Sequence, residues 1–210
     1  MDREQLSEIE EITRASADED GIEPLDEGAW RRLRHHADQL VVRLERGVGF
    51  SVVDDVLVHL VVTPVQRGRG RGARLLDGVL DHGSGPWQAW SHGDHPAAAA
   101  LARKSGFERV RALWVMRRSL TDLPEAPAGR RQDVALRAYL PGDAAELLRV
   151  NAAAFAHHPE QGAMDAAELA ERMAEPWFDP ADLVVAVEGD RMLGFHWTKR
   201  HSATLGEVYV

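Results

Sequence analysis

Cysteine is absent from the 210-residue chain, which excludes a disulfide framework and any thiolate metal site. Also missing is any stretch near the ~20 apolar residues that a membrane-spanning helix needs. Met1–Glu11 is acidic and has no apolar run of the kind a secretory signal carries. Positive charge is in deficit, with 25 Lys and Arg against 34 Asp and Glu, a formal net charge of -9. Phosphate contacts need a basic face, so nucleic acid is not an expected partner. An acidic body does suit a substrate that carries a free amine. His35, His36, His157, His158, His196 and His201 complete no metal-ligand spacing, and no metal is expected. Together these absences predict a soluble, cytoplasmic protein that engages neither nucleic acid nor membrane; a monomer is the expected state, though no residue pattern argues for it.

What is present is ordinary globular material. Apolar residues make up 44% and charged residues 28% of the chain, enough to bury the core of one large domain or two small ones. Leu6, Ile9 and Ile12 recur at helical spacing, and a second helix is predicted to start near Asp26. Three strands follow, over Gln39–Leu44, Phe50–Val53 and Val56–Val62. After a glycine-rich loop come a helix through Leu75–Leu80, a short strand Trp87–Trp90 and a helix Pro96–Lys104 capped by Asp94. A long strand Phe107–Arg117 closes this half. Thr121–Asp133 carries prolines and a glycine without periodicity and reads as a linker. The order then begins again: strand Val134–Leu140, helices Gly142–Phe155 and Ala166–Ala174, a hairpin across Gly189-Asp190, and a strand from Glu207 to Val210.

The densest signal is Arg67-Gly68-Arg69-Gly70-Arg71-Gly72-Ala73, between a strand and a helix. Glycines let the backbone approach a ligand, and N–H groups at a helix start favour an anion. Arg67, Arg69, Arg71 and Arg74 add donors suited to phosphate. Three readings fit this loop alone: an acetyl-CoA diphosphate loop, a dinucleotide fingerprint Gly68-x-Gly70-x-x-Ala73 with Asp94 as its ribose acid, or a basic surface loop without a ligand. A P-loop is excluded, because no Gly-Lys-Ser/Thr follows. The meandering strands before the loop favour a mixed, largely antiparallel sheet over a dinucleotide fold.

The Arg-x-x-Gly-x-Gly pattern, followed by a helix ending in Gly106-Phe107, resembles the GNAT acetyltransferases. In the second half, Leu147–Phe155, His158-Pro159-Glu160-Gln161-Gly162, Trp177-Phe178-Asp179-Pro180, Leu193–Lys199 and Gly206–Val210 resemble the mycothiol synthase family of tandem-GNAT enzymes. The resemblance runs from about Gly21 to Val210. It implies an α/β (α+β) fold of two tandem GNAT-like domains, the second incomplete. The expected boundaries are an N-terminal coenzyme-binding, non-catalytic domain over 1–120, a linker over 121–133 and a C-terminal substrate-side domain over 134–210.

The resemblance also implies acetyl transfer from acetyl-CoA to the cysteinyl amine of desacetylmycothiol. By it, Leu60, Val61, Val62, Gly68, Arg69, Gly70, Arg71, Gly72 and Ala73 hold the coenzyme. Glu27, Glu160, Lys199 and Glu207 contact the amine substrate, and Glu207 is the general base. The tyrosine that often serves as thiolate acid in GNAT enzymes is replaced by Ala102, which has no proton to give. The second half reaches Val210 before a glycine loop of its own, so a chain stopping partway through that half, binding acetyl-CoA and turning over poorly, is the expectation. The alternative is an acetyl-CoA-binding regulatory module without catalysis. A nucleotide-dependent oxidoreductase is the third possibility.

Overall fold

The computed structural model describes residues 1–81, 83, 85–114, 116, 119, 121, 133–157 and 164–200, and the backbone of 206–209. Contacts divide the chain into two compact units, Met1–Val115 and Met116–Val210. Residues 122–132 of the expected linker lie outside the described residues.

The first unit opens with helix α1, Arg3–Asp20. Its start is set by a reciprocal cap in which the Gln5 N–H donates to Asp2 at 2.8 Å and the Asp2 N–H donates to Gln5 at 3.0 Å. Helix α2, Glu27–His35, begins where Asp26 accepts from the Ala29 N–H at 2.7 Å. Strands β1 (Val41–Glu45), β2 (Gly49–Asp54) and β3 (Leu57–Val62) form an antiparallel meander in the order β1-β2-β3. The two faces of this sheet carry different cores. Phe50, Val52 and Val61 pack with Ile9, Ile12, Leu25, Ala29 and Leu33 of the α1–α2 side. Val53 and Val58 pack with Leu76 and Val79 of helix α3, Arg71–Leu80. The period of two along each strand produces this sandwich. Helix α4, Pro96–Lys104, adds Leu101 to the α3 side.

Three readings from the sequence change here. Trp87–Trp90 makes only a single parallel bridge, Gln88 with Leu57, while Trp87 turns into the α3-side core. Residues 107–114 form no strand, and Val110, Leu113 and Trp114 are exposed. Alternating residues make a strand only where a neighbour supplies backbone partners, and no described residue supplies them there. The cap of α4 is His95 rather than Asp94: its Nδ1 accepts from the Ala97 N–H at 3.1 Å, while Asp94 occupies the preceding 3-10 turn.

The second unit is an antiparallel sheet ordered β4-β5-β6-β7, from Ala135–Ala138, Leu183–Glu188, Arg191–Arg200 and Gly206–Tyr209. Helices α5 (Ala144–Ala154) and α6 (Ala166–Met173) precede the β5–β6 hairpin. Leu147, Leu169, Leu183, Val185, Met192 and Trp197 form its core. Each unit thus runs two helices and then a three-strand meander.

A polar latch joins α5 to β6. Glu146 accepts from Arg149 at 2.8 and 2.9 Å and from the Met192 N–H at 3.2 Å, while Arg149 donates to the Met192 carbonyl at 2.8 Å. These donors, the Arg149 guanidinium first, pull the Glu146 carboxyl from 4.5 to about 2. A carboxylate whose folded pKa is depressed stabilises the fold above its ordinary value and loses that contribution as pH falls. Glu146→Gln is therefore expected to lower the urea midpoint near neutrality. It should also flatten the stability loss between 4.5 and about 2, measured by urea titrations across that pH range.

Candidate functional site

Strand β3 leaves one edge largely open. The Val58 N–H donates to the Gln88 carbonyl at 2.7 Å, and the Gln88 N–H donates to Val56 at 2.8 Å. Among the described residues these are the only backbone bonds across that edge. Successive residues of an antiparallel strand turn their N–H and C=O groups to opposite sides. Leu60 and Val62 therefore present theirs on the same side as Val58. Val61 turns its own toward Phe50, its partner in β2, and its side chain is buried. Of the three residues expected to hold coenzyme through this strand, two face the open edge.

The edge runs directly into the glycine loop. Pro64–Gln66 form a 3-10 turn, and Gly68 and Gly70 both take left-handed backbone, φ 70° and 75°. Space around both is open, so the constraint there is conformational: any other residue is strained. Gly70 caps α3 with no side-chain bond to the helix start. The Arg74 N–H is the first to reach back, to the Gly70 carbonyl at 3.1 Å. The N–H groups of Arg71, Gly72 and Ala73 have no intrahelical acceptor, the arrangement that attracts an anion. Gly72 sits at the junction: a Cβ there would lie 3.4 Å from Leu101 and 3.8 Å from Leu60 and Val62. Loop, helix start and strand edge are thus brought together.

The four arginines divide into two kinds. Arg67 donates to both Asp20 oxygens at 2.6 and 2.8 Å and, through Nε, to the Val62 carbonyl at 3.0 Å. Arg74 grips Glu45 of β1, with its Nε at 2.9 Å. Neither is placed as the free phosphate donor expected from the sequence. Arg69 reaches only Gln66, at 3.5 Å, and neither Arg69 nor Arg71 pairs with a carboxylate among the described residues. On the opposite face of β3, His59 is buried. Burial holds its imidazole below the ordinary value, against the opposing pull of Asp26.

The remaining predicted residues are placed as follows. Glu27 is the first residue of α2 and half-buried. Lys199 and Glu207 belong to the second unit and are register partners across β6 and β7. Glu160 lies outside the described residues. The Lys199 Nζ stands 4.9 Å from the ring centroid of Trp177, a residue whose motif was visible in the sequence but whose contact was not. Among the described residues no group of three or more His, Asp or Glu gathers as a metal site, and no helix is long and apolar enough to cross a membrane. The antiparallel sheet removes the basis for a dinucleotide fold, which needs parallel βαβ units.

Asp20 is the pin of this loop, and its carboxyl is held below the ordinary value, first by the Arg67 hydrogen bonds. That contribution to stability is present above the ordinary carboxylate range and lost as pH falls. Asp20→Asn is expected to cost roughly 1–2 kcal/mol near neutrality, and less once Asp20 is protonated in the parent. Thermal or urea unfolding at the two pH values checks this.

Comparison with known proteins bears on what such a site serves. No family model matches the chain. A mycothiol acetyltransferase of Nocardioides sp. is 52% identical over 98% of this chain and 75% of the relative. Those of Thermomonospora curvata and Actinosynnema mirum are each 42% identical, over 98% and 100% of this chain and 72% and 76% of the relatives. Among solved structures, a GCN5-related N-acetyltransferase from Sphaerobacter thermophilus matches with TM-score 0.55 at 21% identity. That match covers 94% of this chain and 69% of the other, and it bears on the fold alone.

Proposed function

The chain belongs to the mycothiol acetyltransferase family, and from that premise we propose how its two units divide the work. It is an acetyltransferase of mycothiol biosynthesis, and acetyl-CoA is its acyl donor. We assign the first unit to the coenzyme and the second to the acceptor, the cysteinyl amine of desacetylmycothiol, in the last step of that synthesis.

The observation that carries this reading is the open edge of β3 running into the glycine loop and the bare start of α3. An extended, amide-bearing pantetheine arm can add to that edge as a strand would, bonding to the backbone of Leu60 and Val62. At the end of the arm the diphosphate meets the N–H groups that open α3, with Arg69 and Arg71 beside them. In the second unit Glu207 is assigned as general base. It takes a proton from the acceptor ammonium, directly or through water, which readies the nitrogen to attack an acetyl thioester. The C–S bond then breaks, and the departing thiolate takes up a proton from solvent. The first unit is assigned to holding acetyl-CoA without catalysing transfer, so low turnover is expected of this chain. Lys199 and Glu160 of the second unit are assigned to the polar parts of the acceptor. A monomer working in the cytoplasm, where acetyl-CoA is made, completes the proposal. The net charge of -9 speaks against nucleic acid as a partner.

Acetyl-CoA is expected to raise the thermal midpoint of the chain while a nicotinamide dinucleotide leaves it unchanged. Gly70→Val places a β-branched residue at φ 75°, a strain of about 1–2 kcal/mol, and should abolish the acetyl-CoA shift. A preserved shift would overturn the loop assignment. In an acetyl-transfer assay with the cysteinyl-glucosaminyl-inositol acceptor, Glu207→Gln should lower turnover by about 100-fold or more. Unchanged turnover would remove Glu207 from the chemistry.

A further inference from the structure

We propose that Trp177 is a positioning residue for Lys199, fixing the ammonium with which this protein meets the polar part of its acceptor; the inference rests on the assignment of Lys199 above. Phe195, Trp197 and Lys199 recur at every second position of β6 and share one face of the sheet. Trp197 is buried and makes aromatic contact with Trp177, centroids 5.9 Å apart at 49°, and with Phe178 at 5.7 Å and 71°. Lys199 is the next residue on that row, and its Nζ lies 4.9 Å from the Trp177 ring centroid. Trp177 therefore joins the core to the ammonium.

The turn that carries Trp177 is itself fastened. The Phe178 N–H donates to the Glu175 carbonyl at 3.0 Å, and Asp179 accepts from the Ala181 N–H at 2.9 Å. Arg200, adjacent to Lys199, donates to Asp182 at 2.6 Å and pairs with Asp179 at 3.6 Å. Consecutive residues of one strand thus hold the same turn, Arg200 by its acids and Lys199 by its indole. A lysine on a four-carbon stem samples many rotamers when left free, and ordering it opposes binding. An indole already locked by Trp197 bears that ordering before any ligand arrives. The electron-rich ring face attracts the ammonium without neutralising it. Register places Lys199 opposite Glu207, which puts this held charge on the strand pair that carries the assigned base.

The test is calorimetric binding of the cysteinyl-glucosaminyl-inositol acceptor to the 210-residue chain, with acetyl-CoA affinity measured alongside. Lys199→Met sets the scale. Trp177→Leu is expected to weaken acceptor binding about three- to tenfold and leave acetyl-CoA affinity unchanged. Combined with Lys199→Met it should add little further loss, because both changes remove one interaction. Stepwise fluorination of the indole at 177 alone withdraws ring charge without altering shape and should weaken acceptor binding in proportion, so a folding defect in the leucine variant does not obscure the answer. If Lys199→Met weakens acceptor binding but fluorination does not, the role of Trp177 is overturned while the site assignment stands. Acceptor binding insensitive to Lys199→Met overturns the assignment of Lys199 itself.

Discussion

A strand edge that the described residues leave largely open is the constraint on which the first unit depends. Backbone N–H and C=O groups seek partners, and a sheet normally supplies them by laying the next strand alongside. Among the described residues the chain returns to β3 for one bridge, at Gln88. The outward groups of Leu60 and Val62 are left at an edge flanked by Gly72 and Leu101. A second strand laid along that edge would close the site. In the function proposed above, an extended, amide-bearing arm would complete that edge at the point where the loop begins. The Val62 carbonyl belongs to both features, because it already accepts from Arg67.

The sequence made most of the fold legible where a local rule decides. Ile9 and Ile12 mark the buried stripe of α1, Asp26 caps α2, and Gly189-Asp190 turns the β5–β6 hairpin. It failed where a partner decides. Residues 107–114 alternate as a strand would but pair with no strand among the described residues, and Trp87 is drawn into the core instead of along the sheet. His95 displaced Asp94 as a cap because its extended backbone aims the ring nitrogen at the Ala97 N–H, a geometry that residue type does not encode.

The candidate site divides in the same way. Glycines at 68, 70 and 72 announce close backbone approach on their own, since no other residue does that job as well. The roles of the neighbouring arginines were not readable, because the acids that claim Arg67 and Arg74 lie 47 and 29 residues away. Trp177 stood out as part of a motif, yet its contact with Lys199 needs the β5–β6–β7 meander and the Arg200 clamp in place.

Those two distant acids also settle what charge the loop can offer. A guanidinium held by a carboxylate contributes little net attraction to a passing anion, so Arg67 and Arg74 give the loop its shape rather than its potential. What is left is Arg69, Arg71 and the N-terminal end of α3, together about +2.5 charges. That charge is of the size a diphosphate carries, in keeping with the proposal made for this loop. Asp20 accordingly does two things with one ion pair. It anchors the loop to the end of α1, and it offsets a cation that would otherwise add to the charge facing the diphosphate proposed for this loop.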